Sequence, residues 1–192
     1  MLLPLRLYVL LLAPLAVACS AKENSKDPVF SAKFQNEKRI GEENITKRQL
    51  RDAEFLVEAA SQKMELLEIS QIAQRKATSP DTRYVAQNAI AQLSARLQEL
   101  KTLAQQKNRA LPTGLGESQA QEVGELTALN GPAFDQKYAE MLSSLTDKTV
   151  DAYEDMADEA YDGDIRALAA RQLPALKDQR TAGEALQDKL KP

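Results

Sequence analysis

The chain contains a single cysteine, and it stands at an abrupt change in composition. Residues 7–18 read LYVLLLAPLAVA and carry no charge, whereas Lys, Glu, Asn and Ser dominate the residues that follow Cys19. A lone cysteine cannot form a disulfide within its own chain. Its position, directly after small residues at the end of an apolar run, therefore points to a role other than an internal disulfide.

The residues before Cys19 have the features of an export signal. Arg6 precedes the apolar run, and the run of twelve residues is well short of the roughly twenty that a spanning helix needs. The end of the run resembles the bacterial lipobox, in which the cysteine becomes the first mature residue and is lipidated. Leucine is usual three places before that cysteine; here Ala16 holds the place and Leu15 lies one residue earlier. An ordinary secretory signal that ends by chance at a cysteine is the alternative.

The residue after the cysteine predicts the destination. Lipoprotein sorting in many Gram-negative bacteria depends on this position, where Asp causes retention at the inner membrane. Ser20 occupies it here. The resemblance therefore implies an outer-membrane lipoprotein that faces the periplasm, with two or three long acyl chains such as palmitate on Cys19 making its retention effectively permanent.

The absence of histidine from the sequence removes several kinds of chemistry. Histidine is the commonest metal ligand and the commonest general base at neutral pH, so histidine-dependent triads and histidine-ligated metal sites are impossible within this chain. A formal charge of −3 is a poor start for binding phosphates, which argues against a nucleic-acid partner. No arrangement suggests a nucleophile with its base. We predict neither an enzyme nor a bound cofactor or metal.

Carboxylates supply the remaining candidates for chemistry. The run DAYEDMADEAYDGD, residues 151–164, places acidic side chains in two rows along a helix. Within each row the acidic residues are four positions apart: Asp151, Asp155 and Glu159 in one, and Glu154, Asp158 and Asp162 in the other. Hard cations prefer such oxygens, so a weak calcium or magnesium patch is one interpretation and a solvated helix face is the favoured one. The first long helix adds a second group, which flanks its apolar stripe beside Lys63 and is predicted to pair at the surface: Glu54, Glu58, Glu65 and Glu68.

Apolar residues repeat at helical spacing in four long segments, and no segment has the alternation of a strand. The sequence therefore predicts an all-α fold, an antiparallel four-helix bundle with an extra short helix and a Pro-kinked last helix. A homo-oligomeric coiled coil is the alternative. The predicted helices are 46–76, 79–108, a short one at 118–129, 130–162, and one from Gly163 onward that contains Pro174.

Three segments follow from this pattern. Residues 1–18 form a lipoprotein signal peptide, 19–45 a flexible tether, and 46–192 the bundle domain. Because residues 20–45 show no sustained period, they are predicted to form a flexible tether, although Val29, Phe30 and Phe34 could dock on the folded body and so order part of it. Tyr138, Tyr153 and Tyr161 are interpreted as aromatic residues at the edge of the core.

Several stretches together resemble a bacterial family called domain of unknown function 4142 (DUF4142), whose members have a ferritin-like helical bundle and are often exported. The resemblance covers about residues 50–190, and GPAFDQKY and LPAL are its most specific parts. The stretches are EFLVEAA (54–60), IAQRKATSPDTRYVAQ (72–87), LKTLAQQKNRALP (100–112), LNGPAFDQKYAEML (129–142) and LAARQLPAL (168–176).

This sequence departs from the family pattern at all three of its histidines. The usual Asp-His pairs fall on Gln92-Leu93 and on Ser144-Leu145, and the third histidine falls on Gln179. Ferritin-like metal sites use carboxylates and Glu-x-x-His pairs that project into the bundle, and leucine offers no lone pair. We therefore predict a histidine-free member with a dry, apolar middle, in which Gln179 could still form a hydrogen bond.

Three functional hypotheses remain open. The first is a non-enzymatic lipoprotein of the outer membrane that acts by contact with an unidentified envelope protein. The second is a metal- or stress-related periplasmic protein that uses carboxylate ligands only. The third is an ordinary soluble periplasmic protein without a lipid on Cys19.

Overall fold

The computed structural model describes residues 27–42 and 47–191, and its described part is built from helices without a strand. The all-α prediction is therefore confirmed. The helices are α1 (Pro28–Glu42), α2 (Lys47–Lys76), α3 (Pro80–Gln106), α4 (Glu117–Ala128), α5 (Gly131–Glu159) and α6 (Gly163–Leu190).

Four of these helices form the bundle, and they pack as two hairpins. Helix α2 packs on α3 and α5 on α6, while α2 also contacts α5 and α3 contacts α6. Asp135, near the start of α5, bonds the Ser79 amide at the start of α3, so α5 begins at the end of the bundle opposite the end of α3. The segment with α4 must therefore cross the length of the bundle. Two hairpins joined by one long crossover form a ferritin-like topology.

Polar side chains at the turns explain where the helices begin. The Ser79 hydroxyl accepts a hydrogen bond from the Thr82 amide at 3.3 Å, and Pro80 supplies a first helical residue that needs no donor. The Asp162 carboxylate accepts one from the Asp164 amide at 2.8 Å and so caps α6. The predicted starts of these two helices are confirmed.

Two apolar clusters fill the bundle, one toward each end. One cluster includes Phe55, Leu100 and Met156, and the other includes Leu66, Phe134 and Leu142. Each buried side chain of this size contributes about 1.5–3 kcal/mol to folding, so these clusters are the main source of stability.

The predicted tether contains a helix that the sequence pattern did not reveal. Helix α1 packs on α2 through Ala32, Asn36 and Ile40, each 2% exposed. These positions are four residues apart and form one helical face, but the polar residue in the middle hides the stripe. Asn36 is satisfied there because its side chain bonds both the amide and the carbonyl of Ala110. The prediction of a flexible tether is thus wrong for 28–42. Part of the tether is ordered, as the docking alternative allowed, but Phe30 and Phe34 are exposed and do not make the contact. Cys19, the rest of 1–26 and residues 43–46 lie outside the described residues.

Helix α6 extends from Gly163 to Leu190 with Pro174 inside it. The proline cannot donate to the carbonyl of Ala170, and its ring is on the exposed face. The bend at this position stays a prediction. Within 27–42 and 47–191, none of the helices combines the length and the hydrophobicity that crossing a bilayer would require.

Candidate functional site

Midway along the bundle, a layer of polar side chains separates the two apolar clusters. Four of these residues lie between the last residue of one cluster and the first of the other on their helix, namely Lys63, Arg96, Thr146 and Gln179. Tyr153 belongs to the first cluster, and Gln172 lies among the residues of that cluster on α6. None is more than 6% exposed. We call this set the central polar layer; it consists of Lys63, Arg96, Thr146, Tyr153, Gln172 and Gln179.

Lys63 on α2 is fully buried in this layer. Its Nζ donates a hydrogen bond to the Tyr153 hydroxyl and lies 4.2 Å from the centre of the same ring. Burial, and secondarily the nearby charge of Arg96, lowers the pKa of Lys63 from 10.5 to about 7. The Tyr153 hydroxyl in turn donates to Oε1 of Gln172 at 3.3 Å, and burial raises the pKa of Tyr153 well above its ordinary value.

Arg96 on α3 occupies the other side of the layer. Its Nη2 donates to Oε1 of Gln179 at 2.8 Å and to Oε1 of Gln92 at 2.9 Å, and burial lowers its pKa. Nη1 is buried and has no hydrogen-bond partner among the described residues. The predicted internal hydrogen bond of Gln179 is confirmed, and the same amide donates to Thr146 at 3.5 Å.

The layer does not fit a ferritin-like metal site. Leu93 and Leu145, which replace two family histidines, are 0% and 7% exposed, as predicted for core residues. Gln179, at the third position, binds the guanidinium of Arg96. A buried guanidinium repels a metal cation, and amide and hydroxyl partners do not neutralise it as carboxylates would.

The prediction of an apolar middle is nevertheless wrong at Lys63 and Arg96, which are 0% and 6% exposed. Lys63 and Arg96 were missed because both residue types are usually exposed. Their spacing held a signal. Lys63 lies three residues after Ala60 and three before Leu66, and Arg96 lies between Leu93 and Leu97, so both share a face with core residues.

The glutamates of α2 divide between surface and interior. Glu58 pairs with Lys33 at 2.8 Å, and Glu54 and Glu68 are exposed. Glu65 is only 2% exposed, so the prediction that it pairs at the surface is wrong, as it is for Lys63. Its Oε2 accepts a bond from Gln119 on α4 at 2.8 Å, and burial raises its pKa.

The acidic run on α5 faces basic partners on neighbouring helices. Glu159 pairs with Arg51 at 2.5 Å and Glu154 with Lys177 at 2.6 Å. Exposed pairs of this kind contribute little to stability, and the arrangement agrees with a solvated helix face. In the part of the chain that the structure describes, no three acidic or cysteine side chains come together as metal ligands would.

Two of the three tyrosines lie deeper than predicted. Tyr138 and Tyr153 are 0% exposed, whereas Tyr161 is 51% exposed. The Tyr138 hydroxyl lies 3.2 Å from the Ser70 hydroxyl. The hydroxyls of both buried tyrosines are therefore bonded inside the bundle and unavailable to solvent.

Comparison with known proteins identifies one family. The model of a family described as "Domain of unknown function (DUF4142)" matches residues 40–186. This span includes α2–α6 almost to its end, together with the whole central polar layer. No curated protein and no solved structure matches the chain.

Proposed function

The chain belongs to the DUF4142 family, and from that premise we propose that it is a lipoprotein of the outer membrane whose bundle works by protein contact. A lipid on Cys19 anchors it, and the bundle faces the periplasm. The single observation that carries the anchor is the lone cysteine at the end of an apolar run preceded by Arg6. The description of the family says nothing of a function, so the role rests on this chain's own residues.

The acyl chains account for lasting attachment. Each buried methylene contributes about 0.8 kcal/mol, and one myristoyl chain gives only reversible binding. Two or three longer acyl chains on Cys19 bury several times as many methylenes as one myristoyl chain, so their binding free energy is severalfold larger. The anchor therefore needs no spanning helix.

The central polar layer supports a role without catalysis. Lys63 has a pKa near neutrality, which is the property of a catalytic acid or base, but its side chain is 0% exposed. Packed residues separate it from solvent, so no substrate reaches its Nζ. Its hydrogen bond to Tyr153 joins α2 to α5. The layer therefore positions the long helices, and the outer faces of the bundle are left to make contacts.

Fatty-acid labelling of the full chain in a Gram-negative host tests the anchor. The wild type is expected to incorporate labelled palmitate and to sediment with outer membranes, whereas Cys19→Ala incorporates none. Ser20→Asp is the matched control for destination, because it keeps the cysteine and is expected to move the labelled protein to the inner membrane. Equal recovery of wild type and Cys19→Ala as soluble, unlabelled protein would support the soluble alternative.

Elemental analysis tests the alternative that the protein acts through a bound metal. Two buried basic side chains in the middle of the bundle, and no carboxylate among the residues of the central polar layer, predict less than stoichiometric iron, manganese or zinc in protein purified without chelators. One metal ion per chain that survives gel filtration would favour the metal-related function. Loss of that metal from Arg96→Met or Lys63→Met would then not locate the metal site, because neither side chain is a carboxylate ligand. Its loss from a carboxylate variant such as Glu65→Gln would locate the site.

A further inference from the structure

The outer face of α1 displays two phenylalanine rings to solvent. Phe30 is 46% exposed and Phe34 is 58% exposed. Their centroids lie 6.4 Å apart with an interplanar angle of 11°, so the rings stack one helical turn apart. Large aromatic side chains dominate contact energetics, so an exposed and stacked pair is a candidate contact surface.

Helix α1 holds the two rings in a fixed place on the flank of the bundle. Its opposite face is buried against α2, Lys33 pairs with Glu58 at 2.8 Å, and Asn36 makes two bonds to Ala110 of the crossover segment. The start of the helix is fixed as well, because the Asp27 carboxylate accepts a bond from the Glu117 amide at 2.8 Å. The rings are therefore displayed by a docked helix.

The distance along the chain restricts what these rings meet. Asp27 follows Cys19 by eight residues, which span at most about 29 Å when fully extended. A short link of this kind gives millimolar effective concentrations. A weak affinity of two rings for the surface that holds Cys19 therefore suffices to keep them there.

The distribution of charge along the chain favours a lipid bilayer as the surface that the two rings contact. Residues 20–42 contain five Lys or Arg and four Asp or Glu, whereas residues 43–192 contain 19 Lys or Arg and 24 Asp or Glu. The first segment thus carries a net charge of +1 and the rest a net charge of −5, so an anionic membrane surface repels the rest of the chain but not the first segment. Lys38 is exposed one turn beyond Phe34, and a lysine there can lay its stem along an interface and keep its ammonium among polar groups. The charge distribution therefore favours the flank with α1 as the one that faces a membrane.

We propose that the stacked Phe30–Phe34 pair inserts into the interfacial layer of the bilayer that holds the lipid on Cys19, so that the bundle rests on the membrane through α1. The inference depends on the proposed lipid anchor. It adds a second, weaker membrane contact and a fixed orientation, with α1 against the membrane and the α3–α6 side turned away.

A tryptophan reporter tests the contact, since the chain has no tryptophan of its own. The mature, membrane-extracted Phe34→Trp protein is reconstituted into vesicles of phosphatidylethanolamine and phosphatidylglycerol, with and without brominated acyl chains. Tyr84→Trp is the matched control, because Tyr84 on α3 is 66% exposed. Intact mass establishes the acylation of each protein. We expect blue-shifted emission and loss of most of the intensity with brominated lipid for Phe34→Trp, and neither for Tyr84→Trp.

Each other outcome overturns the inference in a distinguishable way. Acylated Phe34→Trp protein that emits like the Tyr84→Trp control, unquenched, leaves the anchor standing and removes the α1 contact. Blue-shifted emission that brominated lipid does not quench shows that a second copy or another part of the chain covers the rings. A mass without acyl chains removes both the anchor and the contact.

Discussion

Replacing Lys63 by methionine is expected to make the free energy of unfolding less dependent on pH. Lys63 is 0% exposed, and its pKa is about 7 in the folded protein against 10.5 for an ordinary lysine. Between these values the unfolded chain binds a proton that the folded chain does not. The stability of the wild type therefore rises as the pH increases from 7 toward 10.5.

The size of the effect follows from the shift in pKa. One pKa unit corresponds to about 1.36 kcal/mol, so the full shift corresponds to about 5 kcal/mol, of which about 3 kcal/mol is gained between pH 7 and pH 10. Methionine fills the same space without a charge. The Lys63→Met protein loses the bond from Nζ to the Tyr153 hydroxyl, but that hydroxyl still donates to Gln172 at 3.3 Å.

Urea unfolding followed by far-UV circular dichroism at pH 7, 8, 9 and 10 measures this difference. Lys63→Met is expected to exceed the wild type in free energy of unfolding at pH 7, and the excess is expected to shrink by about 3 kcal/mol by pH 10. Lys101→Met on the exposed face of α3 is the control, with a small difference that is the same at pH 7 and pH 8. A difference between Lys63→Met and wild type that stays constant with pH would refute the reasoning.

The remaining predictions concern helix ends and helix interiors. Asp135→Ala removes a buried carboxylate that accepts bonds from the Thr78 amide and hydroxyl, and urea unfolding is expected to show a loss of about 2–4 kcal/mol; an unchanged midpoint would contradict this. Gly183→Ala places a methyl 3.6 Å from Leu142, an ordinary contact, so thermal unfolding should show a gain of about 0.5–1 kcal/mol, whereas a lower melting temperature would indicate overpacking. Pro174→Ala restores a donor inside α6 and is expected to stabilise by about 1 kcal/mol or more in the same thermal assay; destabilisation would show that the ring itself is needed.

Sequence patterns predicted the long helices well because their ends are marked by residues with one strong local preference. Ser79 and Pro80 start α3, and Asp162 caps α6, as local chemistry requires. Helix α1 was missed because its buried face depends on Asn36, which is polar in the sequence and becomes a core residue only when Ala110 meets it.

The candidate site was only half predictable for a related reason. Leu93 and Leu145 are apolar, and an apolar residue on a helical stripe is expected in the core. Lys63 shares a face of α2 with Ala60 and Leu66, and Arg96 lies beside Leu93 on α3. The burial of both depends on partners from α5 and α6, namely Tyr153 and Gln179. Such partners are distant in the sequence, and their proximity is set by how the hairpins pack.

The central polar layer places two basic side chains, Lys63 and Arg96, in the middle of the bundle. Arg96 keeps one buried nitrogen unpartnered within the described part of the chain, which is costly for a buried charge. Hydrogen bonds from the layer reach all four long helices, because Thr146 and Tyr153 lie on α5 and Gln179 on α6. We interpret this layer as a device that fixes the register of the helices, at some expense of stability.

The intact mass of the mature protein, extracted from membranes of a Gram-negative host, tests the central claim most directly. We expect a chain that begins at Cys19 and carries the added mass of a diacylglyceryl group, with or without a further amide-linked acyl chain. A mature chain without any acyl mass, or one that still contains residues 1–18, would contradict it.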